Sequence, residues 1–149
     1  MGQRKFREEV TSPSFNPVIT FTSTAAIIKN RVVKLVNTGN IKHTTGTSGR
    51  AILGVALAAA TGGGKKIPVQ YFGRVQVHAS TRAIAIGDWV RASSGAASTA
   101  SNLGGTVRTT TVNNQTLGIA LSSAAAAAAG TQRLVTVLLN QTINAVAVI

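Results

Sequence analysis

Three carboxylates, Glu8, Glu9 and Asp88, and two imidazoles, His43 and His78, are the whole acid–base inventory of this 149-residue sequence. Glu8 and Glu9 are chain neighbours, so in extended backbone they point apart and make a poor general acid and base. Asp88 stands in the turn signal Gly87-Asp88, where its carboxylate suits a bond to local backbone. His78 alternates with Arg74 and Gln76, which predicts an exposed place on the polar face of a strand. His43 lies in a short basic strand. Serine is too abundant for a Ser-His-Asp triad to be read from one aspartate, and no Gly-x-Ser-x-Gly elbow occurs. Gly62-Gly63-Gly64-Lys65-Lys66 superficially resembles a phosphate loop, but the spacing and the hydroxyl residue after Lys are missing. There is no cysteine, so neither a disulfide nor a thiolate metal site is available. The expectation is a protein without catalytic residues, cofactor, metal or small-molecule substrate.

What the side chains do supply is charge. Fifteen Lys and Arg stand against three acids, a formal net charge of +12. Such a balance concerns partners and not fold, and it suits either a polyanion or an acidic protein surface. Binding to nucleic acid is therefore the second reading, with a steep salt dependence. Two features rank it behind a protein partner. The basic residues are scattered from Lys29 to Arg133, and stacking platforms are few. Tyr71 and Phe72 straddle the two faces of a strand, while Tyr71 and Trp89 read as core or interface residues.

The elements that must carry these residues are strands. The pentapeptide Leu53-Gly54-Val55-Ala56-Leu57 returns as Leu117-Gly118-Ile119-Ala120-Leu121. Each copy is followed by a small-residue run, a Gly-containing connection and a second apolar strand, Ile67 to Gln70 and Leu134 to Val137. One structural unit used twice is the natural source of such self-similarity, and here the unit reads as an antiparallel hairpin. Gly87-Asp88-Trp89-Val90-Arg91 weakly echoes Lys29-Asn30-Arg31-Val32-Val33. Ile19 and Phe21 alternate with threonines, and Arg31 to Val36 ends at the turn signal Asn37-Thr38-Gly39-Asn40, with Ile41 to Thr44 pairing back. Ile67 to Ala79 alternates over thirteen residues, longer than a usual strand, with Gly73 marking a bend and Pro68 placing its start at a sheet edge. Thr45 to Gly49 and Ser93 to Gly105 read as loops, Thr106 to Val112 as a strand, and Ala124 to Ala129 as a short surface helix or a loop.

Apolar residues make up 44% and charged residues 12% of the chain, which suits one domain with a packed core. The fold class expected is all-β, a small β-barrel or β-sandwich of two pseudo-repeated hairpin modules over residues 18–140. Residues 1–17 form an extended N-terminal arm that spans roughly 50 Å at about 3.3 Å per residue. Its candidate partner contacts are Arg4, Lys5, Phe6, Arg7 and Phe15. Residues 141–149 form a C-terminal tail strand, with Ile143, Val146, Val148 and Ile149 as contacts. Burial of these side chains does not offset the entropy of ordering the tail, so ladder bonds to its own sheet or to a neighbouring subunit are expected. Met1 to Val10 is charged and has no apolar centre, so no signal peptide is expected. No apolar run approaches the roughly 18 residues of a membrane span, and the chain is expected to be soluble.

With Gly87-Asp88-Trp89-Val90, Leu53 to Leu57, and Leu117 to Leu121 with the Ala-rich run through Gly130, residues Val18 to Asn140 resemble the capsid decoration proteins of tailed phages, also called cement or head-stabilising proteins. The resemblance implies a small β-barrel or β-sandwich, usually a homotrimer, on the outer surface of the capsid. It implies binding to the major capsid protein across subunit boundaries, a virion location after a soluble stage in the host cytoplasm, and stabilisation of the shell. Arm exchange between neighbours, seen in some members, fits the N-terminal arm and the C-terminal tail. A tail or fibre part of a phage is a third, weaker reading.

Overall fold

Val, Ile and Thr runs bounded by Gly, Asn and Asp form strands because branched side chains pack well on a pleated, half-buried surface. The computed structural model describes residues 17–44, 52–93, 106–110, 116–128 and 131–139. Among them lie β1 (Val18–Thr22), β2 (Val32–Leu35), β3 (Ile41–His43), β4 (Ile52–Ala56), β5 (Lys66–Gln70), β6 (Gly73–His78), β7 (Trp89–Ala92), β8 (Val107–Thr109), β9 (Gly118–Ala120) and β10 (Leu134–Leu139). They make two five-stranded antiparallel sheets, ordered β1-β5-β4-β2-β3 and β6-β10-β9-β7-β8. The second order is the first with five added to every label. The repeated unit is therefore a whole sheet, larger than the expected hairpin.

The equivalence extends to single hydrogen bonds. Ile27 and Ala60 exchange both backbone bonds at 2.9 Å, as Ile84 and Ala124 do at 2.8 and 2.9 Å. The Asn30 amide reaches the Ala56 carbonyl as the Gly87 amide reaches that of Ala120, each at 2.8 Å. Both residues have positive φ, 63° and 88°. Lone parallel bridges, Ser23 with Ile41 and Ala79 with Val107, tie the two ends of each sheet together. One bridge is not a ladder, so neither sheet is a closed barrel, and the pair is sandwich-like.

Each curled sheet encloses its own core. The first holds Ile27, Val33, Ile41, Ala56, Ala60, Ile67 and Val69. The second holds residues at the matching positions, Ile84, Val90, Val107, Ala120, Ala124, Val135 and Val137. To the second cluster belong also Val32 and Val55, which alternate with Val33 and Ala56 and so lie on the outer face of the first sheet. The second half of the chain thus covers the outer face of the first.

Gly54 and Gly118, the glycines of the repeated pentapeptide, sit where the chain of the neighbouring strand crosses closely. A Cβ on Gly54 would run into the Gln70 carbonyl, and one on Gly118 into that of Leu138. The long alternating run from Ile67 to Ala79 is two strands. It leaves the first sheet after Gln70, crosses at Tyr71 and Phe72, and enters the second sheet at Gly73, whose φ of 82° only glycine adopts without strain.

Pro68 is not at a sheet edge, because β5 lies between β1 and β4. Its carbonyl accepts the Leu57 amide at 2.9 Å, so its missing N–H faces the side where β4 has already ended. Of the two readings of the alanine run, the helix does not form. Ala124 is held in the bridge to Ile84, and the Ala127 amide donates to the Thr81 carbonyl at 3.0 Å, so tertiary bonds override helix propensity. Residues 125–128 carry no regular structure, and Ala129 lies outside the described residues. Of the expected strand Thr106 to Val112, Val107–Thr109 forms a strand, Thr106 and Thr110 do not, and Thr111 and Val112 lie outside the described residues. Of the two expected loops, Thr45 to Gly49 lies outside the described residues, and so does Ser93 to Gly105 apart from Ser93 itself.

Candidate partner-binding surface

The two histidines are brought together by one arginine, not by a carboxylate. Arg31 is 3% exposed immediately before β2, and burial lowers its guanidinium pKa from the ordinary value. Burial first, and then the Arg31 charge, hold His43 and His78 below the usual imidazole range. The His43 Nε2 accepts the Ile28 amide at 2.9 Å, a bond that a proton there would break. His78, expected on an exposed face, is 7% exposed, and its Nδ1 has no hydrogen-bond partner among the described residues. The end of β6 runs against the first half of the chain, where the His78 amide donates to the Asn30 carbonyl at 2.9 Å. This cluster is a neutral-imidazole joint between the halves. Asp88 acts as its turn signal implies, its Oδ2 accepting the Ala85 amide at 2.8 Å. Among the described residues no group of three or more His, Cys, Asp or Glu could hold a metal.

The outer face of the second sheet offers more. Register aligns Trp89 with Ile119, Ile119 with Leu138, and Leu138 with Arg74. In the first sheet the same row reads Val32, Val55, Gln70 and Val18. Val32 and Val55 are fully buried, whereas Trp89 is 40% and Leu138 41% exposed. Other outer positions follow suit. Leu134 and Ile86 are exposed where the matching residues of the first half are Lys66 and Lys29. The face that the first sheet buries within the chain is thus left open in the second and made more apolar. Exposed apolar patches of this kind mark sites of association.

Beside the row lies charge. Arg91 of β7 stands directly opposite Arg108 of β8, and alternation from Trp89 puts Arg91 on the same outer face. Arg82, Arg91 and Arg108 line one open cleft with Trp89, Asp88, Thr109 and Thr110. Burial, and then the neighbouring Arg91 and Arg82 charges, lower the Arg108 pKa. The first sheet repeats the pair as Lys34 opposite Lys42, lining a second cleft with Thr24, Leu35 and Thr38.

Sequence reasoning placed its contact residues elsewhere. Arg4, Lys5, Phe6, Arg7 and Phe15 of the arm, and Ile143, Val146, Val148 and Ile149 of the tail, lie outside the described residues. It read Trp89 as core or interface, and the structure leaves it 40% exposed on the outer face of the second sheet, outside the core. It missed the row Trp89, Ile119, Leu138 and the arginine cleft. The signal was present in the repeat itself: aligning its halves puts large apolar residues in the second where the first has Lys29, Lys66 and Gln70.

Comparison with known proteins locates the fold. No curated protein matches the chain by sequence. The chain is similar in structure to the N base of the head fibre gp8.5 of bacteriophage phi29, at 17% identity and a TM-score of 0.60, covering 83% of this chain and 94% of that one. Likeness at that identity speaks to the fold. The family match is by sequence and takes in all ten strands, from residue 14 to residue 139, so that the chain belongs to the phage cement protein family.

Proposed function

We propose that the protein is a structural part of the virion that binds the outer surface of the phage capsid as a homotrimer and stabilises the shell. Family membership supports the capsid-binding structural role. One observation carries the mode of action: the outer face of the second sheet presents Trp89 and Leu138 to solvent where the first sheet buries Val32 inside the chain. A surface built to be covered serves adhesion, and in this reading the protein performs no reaction. The major capsid protein is the partner, and the arm (Arg4, Lys5, Phe6, Arg7, Phe15) and the tail (Ile143, Val146, Val148, Ile149) add contacts with neighbouring subunits. Repeated use of one interface by a closed oligomer turns modest contacts into firm attachment. Before assembly the protein is soluble in the host cytoplasm.

Light scattering on the purified chain is expected to give the mass of a trimer, and the protein is expected to co-sediment with emptied phage heads and to raise their melting temperature. A monomer that ignores heads and binds oligonucleotides tightly would overturn the proposal.

A further inference from the structure

The cleft between β7 and β8 holds three cations, Arg82, Arg91 and Arg108, and one carboxylate, Asp88. Asp88 already gives one of its oxygens to the Ala85 amide. Like charges directly opposite on adjacent strands destabilise a sheet. The sequence nevertheless places such a pair at matching positions of both halves, Arg91 with Arg108 and Lys34 with Lys42. Charge on an edge strand deters pairing with a foreign strand, and Lys42 and Arg108 do stand on the edge strands β3 and β8. That role asks nothing of Arg91, which is on an inner strand, or of Arg82, which precedes β7 and lies in no strand.

Resting on the capsid-binding reading, we infer that this cleft is a carboxylate socket: Arg82, Arg91 and Arg108 receive aspartate or glutamate side chains of an acidic protein surface, with Trp89 packed beside them. Arginine is suited to this because its planar fork meets a carboxylate with two parallel N–H bonds. The occupant is a protein and not a nucleic acid because the basic cleft opens onto an apolar row. Trp89, Ile119 and Leu138 form the dry centre that protein interfaces have, with charge at the rim. A strand of nucleic acid would ask for successive aromatic platforms, and this row has one aromatic residue. Trp and Arg are also the side chains that dominate the energetics of protein interfaces.

The test uses the full chain and two probes, emptied heads and poly-L-glutamate. Arg82→Glu is the main variant, since Arg82 is exposed and lies outside the strands. Lys65→Glu makes the same charge change at an exposed position of the first half. Arg82→Glu is expected to weaken co-sedimentation with heads by about tenfold or more, and Lys65→Glu to leave it within about twofold. Trp89 is the sole tryptophan, so its emission reports on the cleft. Poly-L-glutamate is expected to shift that emission in the wild type and not in Arg82→Glu. Wild-type protein that ignores heads but shows the Arg82-dependent shift would overturn the capsid reading and keep the socket. Wild-type protein that binds heads while Arg82→Glu binds as well would overturn the socket alone. Loss of duplex-oligonucleotide binding in Arg82→Glu, with head binding intact, would make the cleft a phosphate site and overturn the inference too.

Discussion

At the scale of single residues, Gly54 and Gly118 set the tightest constraint on the sheets. Both sit under a backbone carbonyl that no rotamer change can move aside. Gly54→Ala and Gly118→Ala are each expected to cost about 1–3 kcal/mol, as overpacking does, read from the urea midpoint of unfolding. The repeated pentapeptide shows the two glycines in the sequence. Their reason does not show, because it depends on which distant strand passes over them. The same limit applies to His78. Its alternation with Arg74 and Gln76 correctly puts it on the outer face of β6, yet the first half of the chain covers that end of the face, and pattern within a strand carries no sign of it.

Between elements, the joint of β2, β3 and β6 links stability to pH. His43 and His78 have folded pKa values held below the ordinary imidazole value of about 6.5. The unfolded chain therefore binds protons more readily than the folded one as the solution is acidified. Stability is expected to be full above about pH 6.5 and to fall as pH drops from there toward the lower folded values. With only three carboxylates in the sequence, the histidines carry much of that dependence. The double variant His43→Gln with His78→Gln is expected to flatten the decline in unfolding free energy between pH 7 and pH 5; an unchanged slope would exclude the joint as its source. Strand existence was legible throughout this region, while strand membership was not. The run through Gly73 alternates without a break, and only its division between two sheets shows that the glycine is a crossing point. Pro68 misled for a related reason: a residue without an N–H is tolerated in an inner strand wherever the neighbour on that side has ended.

For the whole molecule, the doubling of one sheet gives a paired experiment, since Val32 and Trp89 occupy the same position in the two halves. Val32→Ser, which opens a buried site and adds a hydroxyl, is expected to cost about 2–4 kcal/mol of stability. Trp89→Ser is expected to cost less than about 1 kcal/mol and to act instead on binding to heads. Circular dichroism in urea, with co-sedimentation, measures both. The all-β class and the repeat were legible because turn residues and β-branched runs are local signals. The exposed apolar face was not, because its meaning lies in a difference between halves: Leu138 against Gln70, Leu134 against Lys66, Trp89 against Val32.

Each sheet is also built from a single unbroken half of the sequence, Val18 to Gln70 and then Gly73 to Leu139. A nascent chain leaving the ribosome can therefore finish all the pairings of the first sheet before the second has been synthesised. During that interval Val32 and Val55 have no cover. An apolar surface bared for that time is the kind through which unfinished chains associate, so the second half also acts as a built-in cover for the first.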